Sequence, residues 1–388
     1  MRRQIGFPDP NNSPDSKILI EWVRKLARDL DKKKQARTPR EPSAAWSGPV
    51  QDLGDLIEST TELRMLASAM FDEVPHKEPY LTDPVGNRQV RDYRHMLDLF
   101  GAILDAGVAP EWSATEYGVG LIGFPFNAIL DWPMATQSGY AFFLRADVNA
   151  KLKAVLDAWR DDVLATDRSL YVITTGPAGW LSDEALLTVA GDANVVPGQP
   201  ELTFEQLFKC EPARDPVQWS FKSMWQWDDF FIREFRNIDK LRLVAHADDP
   251  RWVVSSCESK PFALQTNVKE YDSFWLKGQP YSVTEMLNHR PEAGRFVGGT
   301  VYQAFLNATS YHRWNAPVAG DVVWSGVVEG TYFSEPTITG FTNPVAPDQA
   351  QGATSAVSWP PSTWVTAASP GTTDKNIPVR SEPAYAYA

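Results

Sequence analysis

The stretch from Trp225 to Asn237, WQWDDFFIREFRN, lies between two parts of the chain that differ in their hydrophobic pattern. Phe230, Phe231 and Phe235 can pack on one side of this stretch, while Arg233 and Arg236 present polar groups. The pattern is typical of an amphipathic segment that docks the two parts together. A chemical role for the same residues is the alternative interpretation.

Before this stretch, apolar residues recur at the spacing expected for amphipathic helices. Asp15 or Ser16 is placed to cap the first helix, and Gly107 to end a later one. Ser182 is placed to cap a short helix that ends at Gly191. The sequence predicts helices over about 16–33, 51–72, 91–106, 147–165 and 183–191, with buried turns and short helices in 118–142.

After about residue 250 the pattern changes to short β-rich runs separated by turn residues. The runs predict strands at 252–254, 274–276, 300–302, 322–324 and 330–333. The tail from 336 to 388 is rich in Pro, Thr and Ser and shows no obvious helix or strand. The predicted fold class is α+β, with a helical N-terminal domain followed by an antiparallel β-rich domain that is incomplete at its C-terminus.

The chain is acidic, with 37 Lys and Arg against 49 Asp and Glu and a net charge of −12 over 388 residues. An acidic chain repels phosphate backbones, which argues against nucleic acid as the main partner. The same charge argues against tight binding to anionic lipid surfaces.

The two cysteines, Cys210 and Cys257, lie far apart and show no CxxC spacing, so neither a zinc site nor a disulfide framework is expected. No run of about 18 apolar residues predicts a membrane span. The N-terminus lacks the apolar core of a signal peptide. Together these features predict a protein of the reducing cytoplasm.

The run Val254 to Ser259, VSSCES, leads from a β-rich stretch into a carboxylate beside a thiol. Glu258 is a candidate general acid or base if it is partly buried. A solvated glutamate in a turn is the alternative. Cys257 is expected to be a small buried hydrophobic residue rather than a nucleophile.

The chain has five histidines, and among them only His312 is set in a dense polar and aromatic cluster, NATSYHRWNAPVAG from Asn307 to Gly320. Histidine titrates near neutral pH, which suits proton transfer. A structural histidine that is hydrogen-bonded at a strand turn is the alternative.

Three segments resemble, in this order, signature segments of the phosphatidylserine decarboxylase family: DFFIREFR at 229–236, FWLKGQPYSVTEML at 274–287 and YHRWNAPVAG at 311–320. The resemblance is closest to the fungal L-tryptophan decarboxylases of that family. Further similarity to them is carried by GWLSDEAL at 179–186, CES at 257–259 and FLNATSYHRW at 305–314.

The resemblance implies a pyruvoyl-dependent decarboxylase of an amino acid, and the expected substrate is an aromatic one such as L-tryptophan. In this family a proenzyme cleaves itself at a Gly-Ser step, and the serine becomes the pyruvoyl group that binds the substrate amine. By the same resemblance His312 is the proton-transfer residue and Glu258 a candidate for self-processing. Tyr311, Phe230 and Arg233 are the expected substrate-binding residues.

The chain departs from the family pattern in three places. Asn315 stands where the signature has a second histidine, and an amide cannot act as the base in self-cleavage. The position of the family's aspartate is occupied by Cys257 or Glu258. The 388 residues contain no Gly-Ser dipeptide, so the serine precursor of the pyruvoyl group is expected to be missing from this chain.

The sequence predicts four regions: a leader, helix and linker over 1–48, a helical domain over 49–200, a truncated β-rich catalytic domain over 201–335 and a tail over 336–388. A separate small C-terminal chain or a second copy of the chain is expected to cover the strand edges of an unfinished sheet. Two alternatives to the amino-acid decarboxylase stay open. The substrate is phosphatidylserine, or the chain is an inactive relative or a truncated large subunit.

Overall fold

A computed structural model of the chain describes residues 14–35, 46, 48–76, 90–112, 125–194, 200–210, 223–244, 249, 251–271, 274–276, 279–306, 309–333, 338–339, 349–350 and 363–366. The first half is helical. Its α-helices are α1 (Pro14–Gln35), α2 (Gly48–Ser59), α3 (Thr61–Asp72), α4 (Tyr93–Ala106), α5 (Pro125–Met134), α6 (Gln137–Phe143), α7 (Ala146–Trp159) and α8 (Asp183–Ala193). α7 continues into a π-helical turn (Arg160–Leu164), and a 3₁₀ helix (Asp167–Val172) precedes α8.

The helix ends confirm two of the predicted caps, Gly107 and Ser182. Gly107 ends α4 in the left-handed conformation, with φ 67°, and its N–H donates to carbonyls of the last turn. The Ser182 side chain accepts a hydrogen bond from the N–H of Ala185 at the start of α8.

The prediction that Asp15 or Ser16 caps the first helix is wrong, because α1 begins at Pro14 and includes both. α8 ends at Ala193 rather than at Gly191. The single helix predicted over 51–72 is wrong, because Thr60 is extended and separates α2 from α3.

The second half contains short helices and strands. The helices are α9 (Phe204–Leu207), α10 (Trp227–Phe231), α11 (Ile238–Leu241), α12 (Val283–Met286) and a 3₁₀ helix (Pro291–Phe296). The strands are β1 (Lys260–Thr266), β2 (Phe274–Leu276), β3 (Gln279–Tyr281), β4 (Thr300–Phe305), β5 (Ile338–Thr339), β6 (Gln349–Ala350) and β7 (Thr363–Thr366). The described strands all lie in the second half, where short helices also occur between them, and the described chain is mixed α+β.

β4 lies between β1 and β7 in a three-stranded antiparallel sheet, in which Tyr302 pairs with Leu264 on one side and with Val365 on the other. β2 pairs with β3, and β5 with β6, both antiparallel. The strands predicted at 274–276 and 300–302 are confirmed. The tail predicted to be free of strands contributes β7 to the sheet.

The strands predicted at 252–254, 322–324 and 330–333 are wrong, because the backbone there forms no strand ladder. Val253 and Val323 are 51% and 83% exposed. A strand needs a partner strand, and these runs have none among the described residues.

One continuous hydrophobic core joins the helical half to the later segments, because its buried members extend from Val23 in α1 to Phe333. The ring of Phe333 lies 6.3 Å from that of Phe143 in α6. Next to it, the N–H of Tyr332 donates to Oδ1 of Asn149 at 3.0 Å.

The segments that carry Phe230 and Tyr311 share the core of the helices, whereas Val283 belongs to a second cluster with Val268 and Val301. The boundaries of the four predicted regions stay predictions.

Candidate active site

The start of the 225–237 segment forms part of the aromatic core. α10 places Trp227 and Phe230 against Trp180, with ring centroids 4.7 and 5.3 Å away. Phe230 is also stacked with Phe204 at 6.0 Å. Phe230, which the sequence predicts to bind substrate, is therefore buried below the surface of the site.

Arg233 follows α10 and its side chain is only 3% exposed. Its Nη2 donates to the backbone carbonyls of Thr309 and Ser310, at 2.7 and 2.8 Å. The guanidinium lies over the rings of Phe208 and Phe230, at 4.7 and 5.3 Å from their centroids. Arg233 thus binds the backbone just before the YHR motif.

The charge of Arg233 is held in an unfavourable environment. Burial lowers the pKa of the guanidinium to about 10, while the negative charges of Glu258 and Asp192 act in the opposite direction. The group stays protonated at neutral pH, and its hydrogen bonds to the carbonyls are therefore charge-assisted.

Arg313 makes the reciprocal connection from the YHR motif back to the segment after α10. Its Nε donates to the carbonyl of Ile232 at 2.7 Å. Its Nη2 lies 3.2 Å from Oε1 of Glu234, whose carboxylate also pairs with Lys209. The two segments are therefore joined by arginines from both sides.

His312 lies between these two connections. Its imidazole is stacked on the ring of Phe231, with centroids 4.2 Å apart and an angle of 31° between the planes. Both side chains are half-buried, and Phe231 is supported in turn by Trp227 at 5.6 Å. The titratable group predicted for proton transfer is therefore placed at the edge of the core, with part of its surface open to solvent.

Tyr311 points into the core, on the opposite side of the chain from His312. Its ring lies 4.2 Å from that of Phe235 and 6.4 Å from that of Phe208. Burial raises the pKa of its hydroxyl, which therefore stays protonated at neutral pH. Tyr311 is placed to support the site from below.

Glu258 pairs with Arg242, whose Nε and Nη2 donate to the two carboxylate oxygens, the latter at 2.9 Å. The same Nη2 donates to the carbonyl of Ala193 at the end of α8, at 2.7 Å. The Arg242 guanidinium lies 4.4 Å over the ring of Phe235. Glu258 is therefore not the solvated turn residue of the alternative interpretation.

Asn315 is exposed, and its backbone N–H donates to the carbonyl of Ser256 at 2.8 Å. Its Nδ2 donates to the carbonyl of Ser255 at 3.2 Å. Two residues away, the N–H of Val254 donates to the carbonyl of Pro317 at 3.0 Å. These hydrogen bonds bring the turn that carries Glu258 next to the end of the YHR motif.

The structure thus brings together the segments that carry Arg233, Glu258 and His312. His312 lies at the surface, and Tyr311, Phe230 and Arg233 lie beneath it. Sequence reasoning did not single out Arg242 or Phe231 for the site. Phe231 belongs to the FF pair of the 225–237 segment and could have been considered from the sequence. Arg242 could not, because its partner Glu258 is 16 residues away in the chain. Among the described residues, no three His, Cys, Asp or Glu side chains lie together as metal ligands would.

Over the described part of the chain, no helix has both the length and the apolar character required to cross a membrane.

Two protein-family models match the chain, and both are described as phosphatidylserine decarboxylase. One matches residues 47–189 in the helical half, and the other matches residues 227–352. The second range begins with α10 and includes the segments that carry Glu258, His312 and Asn315.

Three fungal proteins are similar to the chain. Decarboxylase iboD of Amanita muscaria is 37% identical over 213 residues, which are 55% of this chain and 57% of that protein. The L-tryptophan decarboxylase of Psilocybe cubensis is 28% identical over 74% of this chain and 59% of its own length. That of Psilocybe cyanescens is 31% identical over 57% of this chain and 49% of its own length. The chain therefore spans between half and three fifths of these relatives.

Proposed function

The chain belongs to the phosphatidylserine decarboxylase family, and from that membership we propose that it acts in the decarboxylation of a free aromatic amino acid such as L-tryptophan. The observation that carries the proposal is the half-buried His312 imidazole on the Phe231 ring, at the junction of two family segments. The names of the two Psilocybe relatives support the substrate class.

The proton-transfer part of the proposal falls to His312. Loss of CO₂ from an amino acid leaves negative charge on Cα, which must take up a proton. An imidazole can hold and deliver that proton near neutral pH. Phe231 is partly exposed beside it, and an aromatic pair with a substrate ring contributes about 0.5–1.5 kcal/mol beyond the area buried.

Tyr311, Phe230 and Arg233 were predicted to bind substrate, but all three side chains are buried. In this proposal they support the substrate site without contacting the substrate. Phe230 supports α10 from the core, and Tyr311 packs on Phe235. Together they hold the floor on which His312 and Phe231 lie.

Glu258 and Asn315 are proposed to belong to the processing side of the site. The hydrogen bonds of Asn315 to Ser255 and Ser256 hold the turn before Glu258 against the YHR segment. The Asn315 amide does not titrate, which leaves Glu258 as the proton acceptor of the pair. Arg242 fixes the Glu258 carboxylate in one orientation.

A pyruvoyl group, the cofactor that family membership implies, serves as the acceptor for the electrons left by CO₂. The family makes it from the serine of a Gly-Ser step, and these 388 residues contain no such step. None of these residues therefore fits as the precursor of the pyruvoyl group. The roles proposed for His312, Glu258 and their neighbours involve the side chains of this chain alone. We propose that a separate small polypeptide supplies the pyruvoyl group and covers the exposed strand edges of the β-rich part. A homodimer is the alternative way to cover those edges.

The test is the release of labelled CO₂ from carboxyl-labelled L-tryptophan. The protein is isolated from expression of its own gene through an N-terminal tag, so that any polypeptide made with it is retained. We expect CO₂ from L-tryptophan, together with a carbonyl that a hydrazine reagent traps on a second polypeptide.

The matched competitor substrate is phosphatidylserine in vesicles, labelled at the serine carboxyl. Release of CO₂ from this lipid but not from L-tryptophan would favour the phospholipid alternative. A preparation with neither CO₂ release nor a hydrazine adduct would identify the chain as a non-catalytic relative and overturn the proposal.

A further inference from the structure

The two backbone carbonyls that accept from Arg233 belong to Thr309 and Ser310, directly before Tyr311 and His312. Thr309 is further held by a hydrogen bond from its hydroxyl to the carboxylate of Asp192 in α8. The chain that leads into His312 is therefore fixed at consecutive residues, by a buried cation and by a helix.

A second attachment follows His312 immediately. Arg313 donates from Nε to the carbonyl of Ile232, which is the residue between Phe231 and Arg233. The chain before His312 and the residue after it are thus attached to Arg233 and Ile232, the two residues that directly follow Phe231. Because the chain is fixed before and after His312, its imidazole is held against the Phe231 ring, with the two ring centroids 4.2 Å apart.

The chemistry of Arg233 favours positioning over simple core packing. A buried cation costs free energy that an apolar side chain of similar volume would not. Its Nε has no hydrogen-bond partner, while Nη2 donates to both carbonyls. The planar guanidinium packs on the rings of Phe208 and Phe230, and its Nη2 is directed at the 309–310 backbone.

We propose that Arg233 is a positioning residue that fixes the His312 imidazole over the Phe231 ring by binding the carbonyls of Thr309 and Ser310. The inference rests on the function proposed for His312, since positioning has a catalytic consequence only if His312 transfers the proton. A displacement of about 1 Å at a catalytic group can cost about 10²-fold in rate.

The geometry is tested by NMR of the full chain labelled with ¹³C-histidine. The ring current of Phe231 shifts the signals of the His312 ring upfield, and His312→Asn identifies those signals among the five histidines. Phe231→Leu shows where the signals lie without the aromatic ring. We expect Arg233→Met to move the His312 signals to the position seen in Phe231→Leu.

The matched control is Arg236→Met. Arg236 lies in the same segment and donates to the carbonyl of Glu205, away from the YHR motif, so its removal should leave the His312 signals in place. The signals of His95, which is buried in the helical half, report whether each variant is folded. His312 signals that stay in place in a folded Arg233→Met variant would overturn the inference.

Arg233→Lys is the second variant, in case the methionine variant does not fold. Lysine keeps the charge but lacks the planar fork that reaches two carbonyls, so we expect an intermediate displacement of the His312 signals. Unmoved His312 signals in a folded lysine variant would also contradict the proposal.

The catalytic consequence is measured separately. Where L-tryptophan is decarboxylated, we expect Arg233→Met to lower kcat about 10²-fold with little change in KM. A shifted His312 signal without any decarboxylation in the wild type would support the positioning role and refute the proposed function. A kcat that equals that of the wild type, with His312 displaced, would overturn the catalytic meaning of the positioning.

Discussion

At the level of single residues, the contact between Glu258 and Arg242 shows how a candidate catalytic side chain is held. Their side chains are 16% and 20% exposed, so solvent screens the pair only in part. Arg242 also donates to the Ala193 carbonyl at the end of α8, where a cation interacts favourably with the helix dipole. The orientation of Glu258 is therefore linked to the position of α8.

Replacement of Arg242 by methionine is expected to lower the free energy of unfolding by about 1–3 kcal/mol, because a largely buried carboxylate loses its donors. The measurement is urea unfolding followed by circular dichroism. The control is Arg251→Met, since Arg251 is exposed and solvent screens its pair with Asp249, so its removal should change the free energy of unfolding much less. An equal decrease in the free energy of unfolding in both variants would show that the buried Glu258–Arg242 pair stabilises the protein no more than an exposed pair does.

The sequence identified residues of this site that are close in the chain or belong to a recognisable motif. His312 stood out through its cluster, and Glu258 through its turn. The pairing of Glu258 with Arg242 could not be predicted, because Arg242 follows α11, 16 residues earlier, and is itself held by the Ala193 carbonyl at the end of α8. The burial of Phe230 agrees with the docking interpretation of its segment, whereas the burial of Tyr311 was hidden, since no apolar periodicity marks the side of the YHR segment that meets the core.

At the level of elements, α4 contains a buried histidine whose protonation opposes folding. His95 is 3% exposed, and its Nδ1 accepts from the N–H of Arg91 at 3.1 Å. Its Nε2 has no partner. Burial lowers the pKa of His95 to about 4, so the folded protein keeps this imidazole neutral where the unfolded chain protonates it.

We expect this histidine to add a pH dependence to stability. Between pH 6.5 and 4 the unfolded chain binds a proton at His95 that the folded chain does not, so the free energy of unfolding falls as the pH falls through this window. The shift corresponds to about 3 kcal/mol. Urea unfolding at pH 7 and 4.5 should therefore show a smaller decrease for His95→Gln than for the wild type. An identical decrease in both proteins would contradict the assignment.

The turn that leads into α8 also depends on a single position. A Cβ on Gly179 would lie 2.0 Å from the carbonyl oxygen of Thr174, which cannot retreat because it accepts from the N–H of Leu181. This turn presents Trp180 to Trp227 and Phe230. The absence of a side chain at Gly179 is thus needed for the aromatic support of α10.

Gly179→Ala is expected to destabilise the protein by about 1–3 kcal/mol through overpacking. Gly101→Ala is the matched control, because Gly101 lies inside α4 with no atom within 4 Å of a new Cβ. The control should instead stabilise by about 0.5–1 kcal/mol. Thermal unfolding of both variants measures the difference, and a stable Gly179→Ala protein would refute the packing described for this turn.

The elements also show where sequence patterns fail. Helices with strong periodicity and capping residues were predicted well, because both signals are local. β1 was not predicted, since Lys260, Pro261 and Gln265 dilute its apolar pattern. The apolar runs at 252–254 and 322–324 read as strands but have no partner in the described chain, and a strand requires one.

At the level of the whole molecule, the core connects the helices with the motif segments and thereby places the candidate site on a rigid base. α8 contributes Asp192 to Thr309 and Ala193 to Arg242. The later segment returns to α6 and α7 through Phe333 and Tyr332. The helical half therefore has a direct part in the geometry around His312, and this part was not apparent from the sequence.

The central claim is that His312 transfers the proton in amino-acid decarboxylation, and its most direct test compares His312→Asn with the wild type in the release of CO₂ from carboxyl-labelled L-tryptophan. The control is His289→Asn, since His289 is exposed and has φ 55°, a left-handed conformation that asparagine adopts readily. We predict that His312→Asn lowers kcat/KM about 10²–10⁴-fold while His289→Asn does not. A His312→Asn protein that releases CO₂ as fast as the wild type would contradict the claim.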